Sequence, residues 1–259
     1  MNLEEKTIIT RNSTESILGY PVVKENIVWC VDSIMDWVRH GDHCRYLACI
    51  NPHSYVVSKK HVMFARALQN ATWLIPDGSG IVLASRYLNG SIKHRITGSD
   101  VFYHINRQLN LCAGSVFFLG STVGTLAMMQ HNISRDFPYI RIAGTYAPPF
   151  KPVFTDEDNE RMIAEINAAE ADVLWVGMTS PKQDLWLYQH QDRLQVKFAA
   201  GIGAVFDFYS GRIKRSHPVF LRLGLEWLPR LMQEPRRLWR RTCISAPVFL
   251  WDVIQSVRH

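Results

Sequence analysis

Residues 115–136 read SVFFLGSTVGTLAMMQHNISRD, and the fold follows from how this stretch is divided. Ser115 to Gly120 is a short apolar run of the kind buried on both faces of a parallel sheet. Gly120-Ser121-Thr122-Val123-Gly124 supplies turn residues, and 122–136 has the length of a helix. The same grammar recurs on either side. RYLACI (45–50), ATWLIP (71–76), YIRIAG (139–144), DVLWVG (172–177) and VKFAAG (196–201) read as further buried strands. Stretches of helical length lie between several of them, at 54–70, 122–136, 156–170 and 181–194. Strands alternating with helices predict an α/β chain, a mostly parallel sheet with helices on both faces. At 259 residues there is material for one such domain and an appendage.

In sheets of this type, ligands bind beyond the carboxyl ends of the strands. The loops expected there are INPHS (50–54), PDGSG (76–80), GSTVG (120–124), GTYAPPF (144–150), GMTSPKQD (177–184) and GIGAVFDF (201–208). GSTVG either offers N–H groups and hydroxyls to a phosphate at a helix N-terminus or is a plain strand-to-helix turn. Asp77 of PDGSG is either the N-cap of the following helix or a general base for an acceptor hydroxyl. In SPKQD, Pro181 is placed at the first helical position. Lys182 then faces a diphosphate and Gln183 a sugar or uracil, or both belong to an ordinary solvated helix start. Asp156-Glu157-Asp158 has the D-x-D spacing of a metal-held diphosphate, but Thr155 with Asp158 reads better as a capping box. No metal site is expected.

Charge divides the chain near residue 211. From Gly211 onward ten basic residues face three acidic ones, a balance of +7, while the first 210 residues carry −1. Boundaries are therefore drawn at 1–210 for a core and 211–259 for a basic, aromatic, membrane-associating appendage. Leu223, Trp227, Leu228, Trp239, Phe249, Leu250 and Trp251 alternate there with arginines, and Pro229, Pro235 and Pro247 divide the run into short helical pieces. Such a segment suits an anionic headgroup region, each basic residue contributing on the order of 1 kcal/mol. The five scattered cysteines make neither C-x-x-C nor metal spacing, as in a reducing compartment. No apolar run approaches the roughly 20 residues of a spanning helix, and MNLEEKTIITRNSTES does not read as a signal peptide. A peripheral location on the cytoplasmic face of the cell membrane is expected.

Seven stretches in order resemble the WecG/TagA/CpsF family, glycosyltransferase family 26. They are PDGSGIVLASR (76–86), RITGSD (95–100), FFLGS (117–121), GTYAPPF (144–150), VGMTSPKQD (176–184), GIGAVFDFYSGRIKR (201–215) and GLEWLPRLMQEPRRLWRR (224–241). The resemblance implies an inverting, metal-independent transferase with a Rossmann-like core and no cofactor. It would use a UDP-sugar donor and an undecaprenyl-diphosphate-linked sugar acceptor in cell-surface polysaccharide synthesis. It places the proposed catalytic base on Asp77, and family motif residues on Asn51, Arg95 and Gln183. It also makes Arg236, Arg237, Arg240 and Arg241 candidates for diphosphate contacts. Asp100, Gly120, Ser121 and Lys182 complete the expected substrate-binding set. N-acetylmannosamine or a related hexose is the donor sugar implied, and self-association has family precedent. The chain departs from the family pattern at Cys49, where threonine is common, at Ser216-His217, and at Asp184, where the motif acid is glutamate.

Two rivals fit less well. A dehydrogenase would carry G-x-G-x-x-G after its first strand, whereas GIGAVF (201–206) has two of those glycines and comes late. A non-catalytic membrane or nucleic-acid adaptor could act through the basic tail, but no nucleic-acid-binding signature accompanies the charge.

Overall fold

The computed structural model describes residues 13–212 and 240–257. Its main sheet has six strands, β3 (Arg45–Ile50), β4 (Trp73–Pro76), β5 (Ser115–Gly120), β6 (Arg141–Tyr146), β7 (Val173–Gly177) and β8 (Phe198–Gly201), in the order β4-β3-β8-β7-β5-β6. The pairs β3–β8, β8–β7, β7–β5 and β5–β6 are all parallel. Helices flank this sheet, so the α/β, Rossmann-like expectation holds. Every residue of β5 and of β8 is buried, which is why both read as continuous apolar runs.

By internal contacts the described residues form two compact units, and the boundary falls inside β3, between Ala48 and Cys49. The first takes the described parts of Met1–Asn26, Cys49–Thr97 and Lys214–His259; the second takes those of Ile27–Ala48 and Gly98–Ile213. These units cut the chain differently from the composition boundary at 210/211.

The first unit opens on a hairpin that the sequence reading did not include, β1 (Thr14–Ile17) with β2 (Tyr20–Val23). Leu18 and Gly19 both have positive φ, 49° and 85°, the backbone of a two-residue turn matched to strand twist. Each strand is only four residues long, too short for alternation to register. The expected helix at 54–70 is two helices, α2 (Pro52–Ser58) and α3 (Val62–Gln69). The break comes where the His61 ring accepts from the Phe64 N–H at 3.2 Å and caps α3. α4 spans Ser79–Tyr87. Near the C-terminus a π-helical turn (Arg240–Ser245) leads into α10 (Ala246–Ser256). Phe249 of α10 is buried against the Tyr55 ring, centroids 5.3 Å apart, and Asp252 accepts from the Tyr55 hydroxyl at 2.9 Å and from Lys59 Nζ at 2.6 Å. The C-terminal helix is thereby fastened to α2.

The second unit contains α1 (Ile27–His40), α5 (Gly98–Leu111), α6 (Val123–Asp136), α7 (Asp156–Ala168), α8 (Lys182–His190) and α9 (Ala204–Tyr209). Its core stacks Phe102, Trp175 and Phe198 edge to face, and Phe118 against Phe206. β6 starts two residues later than the sequence suggested. Tyr139 instead donates its N–H to Asn110 Oδ1, and pairing begins when the Arg141 N–H meets Gly114 O at 3.0 Å.

Candidate active site

In the first unit the chemistry gathers where β3 and β4 end. Asn51 leaves β3 in an extended conformation and caps α2, its Oδ1 accepting from the His53 and Ser54 N–H groups at 3.0 Å each. The Ser54 hydroxyl returns the contact on the Asn51 N–H at 2.8 Å, and Pro52 occupies the start of the helix, where no N–H is needed. Oδ1 being committed to the cap, Nδ2 of Asn51 points outward and donates to Asp77 Oδ2 at 3.4 Å. The Asp77 backbone is pinned by its own N–H on Ile50 O at 2.8 Å.

The N-cap of α4 falls on Gly78, at φ 100°, a residue with no side chain to cap the helix. Asp77 is therefore not the N-cap, the first of its two sequence readings. Gly78 and Gly80 serve the turn in different ways. Gly78 takes a φ that L side chains rarely adopt, and a Cβ on Gly80 would come within 2.5 Å of the Pro52 ring. The turn carrying Asp77 is thus pressed against the start of α2, beside Asn51. Arg95 is half-buried and precedes Ile96, whose N–H bonds Pro76 O at 3.0 Å, so its backbone is held next to the end of β4. Arg236 and Arg237 lie outside the described residues, as do the side chains of Arg240 and Arg241, whose backbone forms the π-helical turn.

In the second unit the loops after β5, β7 and β8 interlock. Gly120 has φ 116° and Ser121 φ 57°; a Cβ on Gly120 would lie 2.7 Å from Gly177 O. Thr122 caps α6, accepting from the Thr125 N–H at 3.2 Å, so its hydroxyl serves the helix. Gly120 and Ser121 thus form a strained turn ahead of a 14-residue helix. Asp100 stands half-buried in the first turn of α5, where a carboxylate favours the helix dipole.

The SPKQD segment is no solvated helix start. Pro181 occupies the N-cap of α8, one residue earlier than expected, after a cis Ser180–Pro181 bond. Gln183 is 6% exposed and its Oε1 accepts from the Gly203 N–H at 3.1 Å. Asp184 is 2% exposed, and its Oδ2 accepts from the Ser180 hydroxyl at 2.7 Å. Burial pushes its carboxyl up to about 7. Lys182 hydrogen-bonds the Lys151 carbonyl and covers the Phe154 ring at 3.5 Å from its centroid. Desolvation lowers the pKa of its ammonium group. This lysine ties the loop after β6 to the start of α8.

Thr155 and Asp158 form both halves of the expected capping box. Asp158 also accepts from Lys151 Nζ at 3.0 and 2.8 Å; these partners bring its carboxyl down to about 2. Among the described residues no group of three or more His, Cys, Asp or Glu side chains is arranged to hold a metal ion.

The sequence model of the glycosyl transferase WecG/TagA/CpsF family matches residues 15–259. The chain belongs to that family. Three similar proteins carry one description, N-acetylglucosaminyldiphosphoundecaprenol N-acetyl-beta-D-mannosaminyltransferase. The one from Bacillus spizizenii is 29% identical over 82% of this chain and 80% of its own length. That from Bacillus subtilis is 26% identical over 95% and 93%, and that from Staphylococcus aureus strain MW2 is 24% identical over 100% and 98%. This WecG/TagA/CpsF member is accordingly a glycosyltransferase. No helix among its described residues is long and apolar enough to cross a membrane.

The pairing of exposed Ser180 with buried Asp184 was not anticipated as part of the site, although Asp184 was visible as a departure from the family acid. Its signal was weak because an aspartate in the first turn of a helix ordinarily faces water.

Proposed function

We propose that this chain transfers N-acetylmannosamine from UDP to an N-acetylglucosamine carried on undecaprenyl diphosphate, with inversion at the anomeric carbon, in the synthesis of a cell-surface polysaccharide. The observation that carries this reading is the Asn51–Asp77 pair at 3.4 Å. A carboxylate at a strand end, one residue ahead of the N-cap and held by the Asn51 amide, suits a base on an acceptor hydroxyl. The acceptor oxygen attacks the anomeric carbon, the bond from that carbon to the diphosphate breaks, and the hydroxyl proton passes to Asp77. The names of the relatives support the choice of donor sugar and of acceptor.

Departure of UDP leaves negative charge that needs donors or cations. Gly120 and Ser121 ahead of α6, with Arg95, Arg236, Arg237, Arg240 and Arg241, are assigned to it, and the reaction needs no metal. Gln183 is assigned to the donor. Work on a lipid-linked acceptor would place the protein on the inner face of the cell membrane. α10 is suited to that surface, since Leu250, Trp251 and Ile254 are exposed on it while Phe249 turns inward.

The test is UDP release from a panel of UDP-sugars, with a short-chain lipid-diphosphate N-acetylglucosamine acceptor, for wild type and Asp77→Asn. Turnover with UDP-N-acetylmannosamine, falling about 10²–10⁴-fold in the variant as for loss of a general base, supports the reading. Turnover unchanged by Asp77→Asn would remove Asp77 as the base.

A further inference from the structure

Gln183 and Asp184 are neighbours at the start of α8, and each uses its side chain on a different part of the second unit. Asp184 is turned into the protein and takes the Ser180 hydroxyl at 2.7 Å, so the two ends of the Ser180–Asp184 turn are stapled. Gln183 reaches across to the loop after β8, where its carbonyl oxygen accepts from the Gly203 N–H. The fit around that contact is close. A Cβ on Gly201 would lie 3.0 Å from Gln183 Nε2, and one on Gly203 would lie 2.5 Å from Met178 O and 3.0 Å from Gln183 Oε1. The same two strand ends are tied through backbone, the Ile202 N–H bonding Val176 O at 3.0 Å.

We propose that Asp184 is a positioning residue: its buried carboxyl, stapled to Ser180, sets the first turn of α8 so that Gln183 grips Gly203 through Oε1 and keeps Nε2 as the donor for the sugar nucleotide. The inference rests on the transferase reading for its substrate. Its structural half stands on the geometry alone. Gln183 Oε1 must be the acceptor because its partner is a backbone N–H, which fixes the amide orientation and places Nε2 over Gly201. Nε2 has no hydrogen-bond partner among the described residues. The groups that face Asp184 are the Ser180 hydroxyl and the phenol of buried Tyr46 on β3. With burial raising its pKa, Asp184 keeps its proton through mildly acidic pH and acts as a neutral, hydrogen-bonded wedge. The Asp184 carboxyl itself touches no substrate.

The experiment compares wild type with Asp184→Ala, Ser180→Ala and Asp184→Asn. The readouts are kcat and KM for UDP-N-acetylmannosamine with the lipid-diphosphate acceptor, and hydrogen exchange at the Gly203 amide. Asp184→Ala and Ser180→Ala should raise the donor KM about tenfold, the effect of one lost hydrogen bond, with a smaller change in kcat. They should also speed Gly203 exchange about tenfold relative to amides of β8. Asp184→Asn keeps an acceptor for Ser180 and carries no charge, so it should restore both values to within about threefold of wild type. Donor KM and Gly203 exchange unchanged in a folded Asp184→Ala or Ser180→Ala protein would overturn the proposal and leave Asp184 as packing only. If wild type transfers no sugar, the function reading fails, and Gly203 exchange still decides: acceleration in the two alanine variants supports the staple, and unchanged protection refutes it.

Discussion

Asn51 Nδ2 donates to Asp77 Oδ2 at 3.4 Å, joining the helix cap after β3 to the turn after β4. One amide thus does two tasks, since its Oδ1 caps α2 while its Nδ2 orients the carboxylate. The tasks separate by substitution. Asn51→Ser keeps a good capping oxygen, so stability should stay within about 0.5 kcal/mol of wild type by chemical denaturation. Transfer should nevertheless fall at least about tenfold, as for a lost hydrogen bond to a charged group. Asn51→Asp also keeps the cap but sets a second carboxylate beside Asp77. One of the pair must then hold a proton to higher pH, and the acid limb of the rate profile should move upward.

Gly120 and Gly124 lie four residues apart and should respond oppositely to the same change. Gly120→Ala puts a side chain at φ 116° with its Cβ 2.7 Å from Gly177 O. It should lose more than about 1 kcal/mol, and transfer with it. Gly124 has open space around a Cβ and sits inside α6, so Gly124→Ala should hold or gain up to about 1 kcal/mol. Thermal melts of the two variants check both signs.

Asp184 makes the protein more stable in mild acid. Its carboxyl sits near 7 when folded against an ordinary 3.8, so between those values the folded chain holds a proton that the unfolded chain has lost. Stability from this group is full below about pH 4, declines as pH rises, and is gone above about 7, with an upper bound of about 4 kcal/mol. Asp158 and Asp136, whose carboxyl pKa values are lowered, act in the opposite sense at low pH. The clean comparison is therefore wild type against Asp184→Asn by urea unfolding at pH 5 and pH 8. The difference in stability between the two proteins should shrink or reverse in favour of the variant at pH 8.

α10 presents two faces with separable roles. Phe249 is 1% exposed and packs on Tyr55, so Phe249→Ala should cost about 3–5 kcal/mol. Trp251 is 60% exposed, and Leu250→Ala with Trp251→Ala should change stability by no more than about 0.5 kcal/mol per site. The same double variant should bind vesicles containing anionic lipid less tightly than wild type in co-sedimentation. Unchanged sedimentation would take the membrane role away from this helix.

The alternation of apolar runs and helical stretches was legible because periodicity is written within a dozen residues. β3 and β5 fall where the runs are, and the Thr155–Asp158 capping box is likewise a local pattern. Family motifs singled out Asp77, Asn51 and Gln183 for the same reason: each sits in a short contiguous signature. The hairpin at 14–23 escaped because its four-residue strands hold too little pattern, and its turn is set by two positive φ angles that Leu18 does not advertise.

By itself, the sequence determined the α/β layering, the family and the loops in which chemistry would sit. Only the tertiary structure decided which partner each side chain meets. Asp77 and Asn51 are 26 positions apart, and nothing local shows that the cap of α4 passes to Gly78 while Asp77 takes an amide. Likewise the burial of Asp184, and the inward turn of Phe249 beside an exposed Trp251, depend on the neighbours packed against each helix. Propensity acts through adjacent residues, whereas burial and hydrogen-bond partnership are set by segments that approach only when the chain is folded.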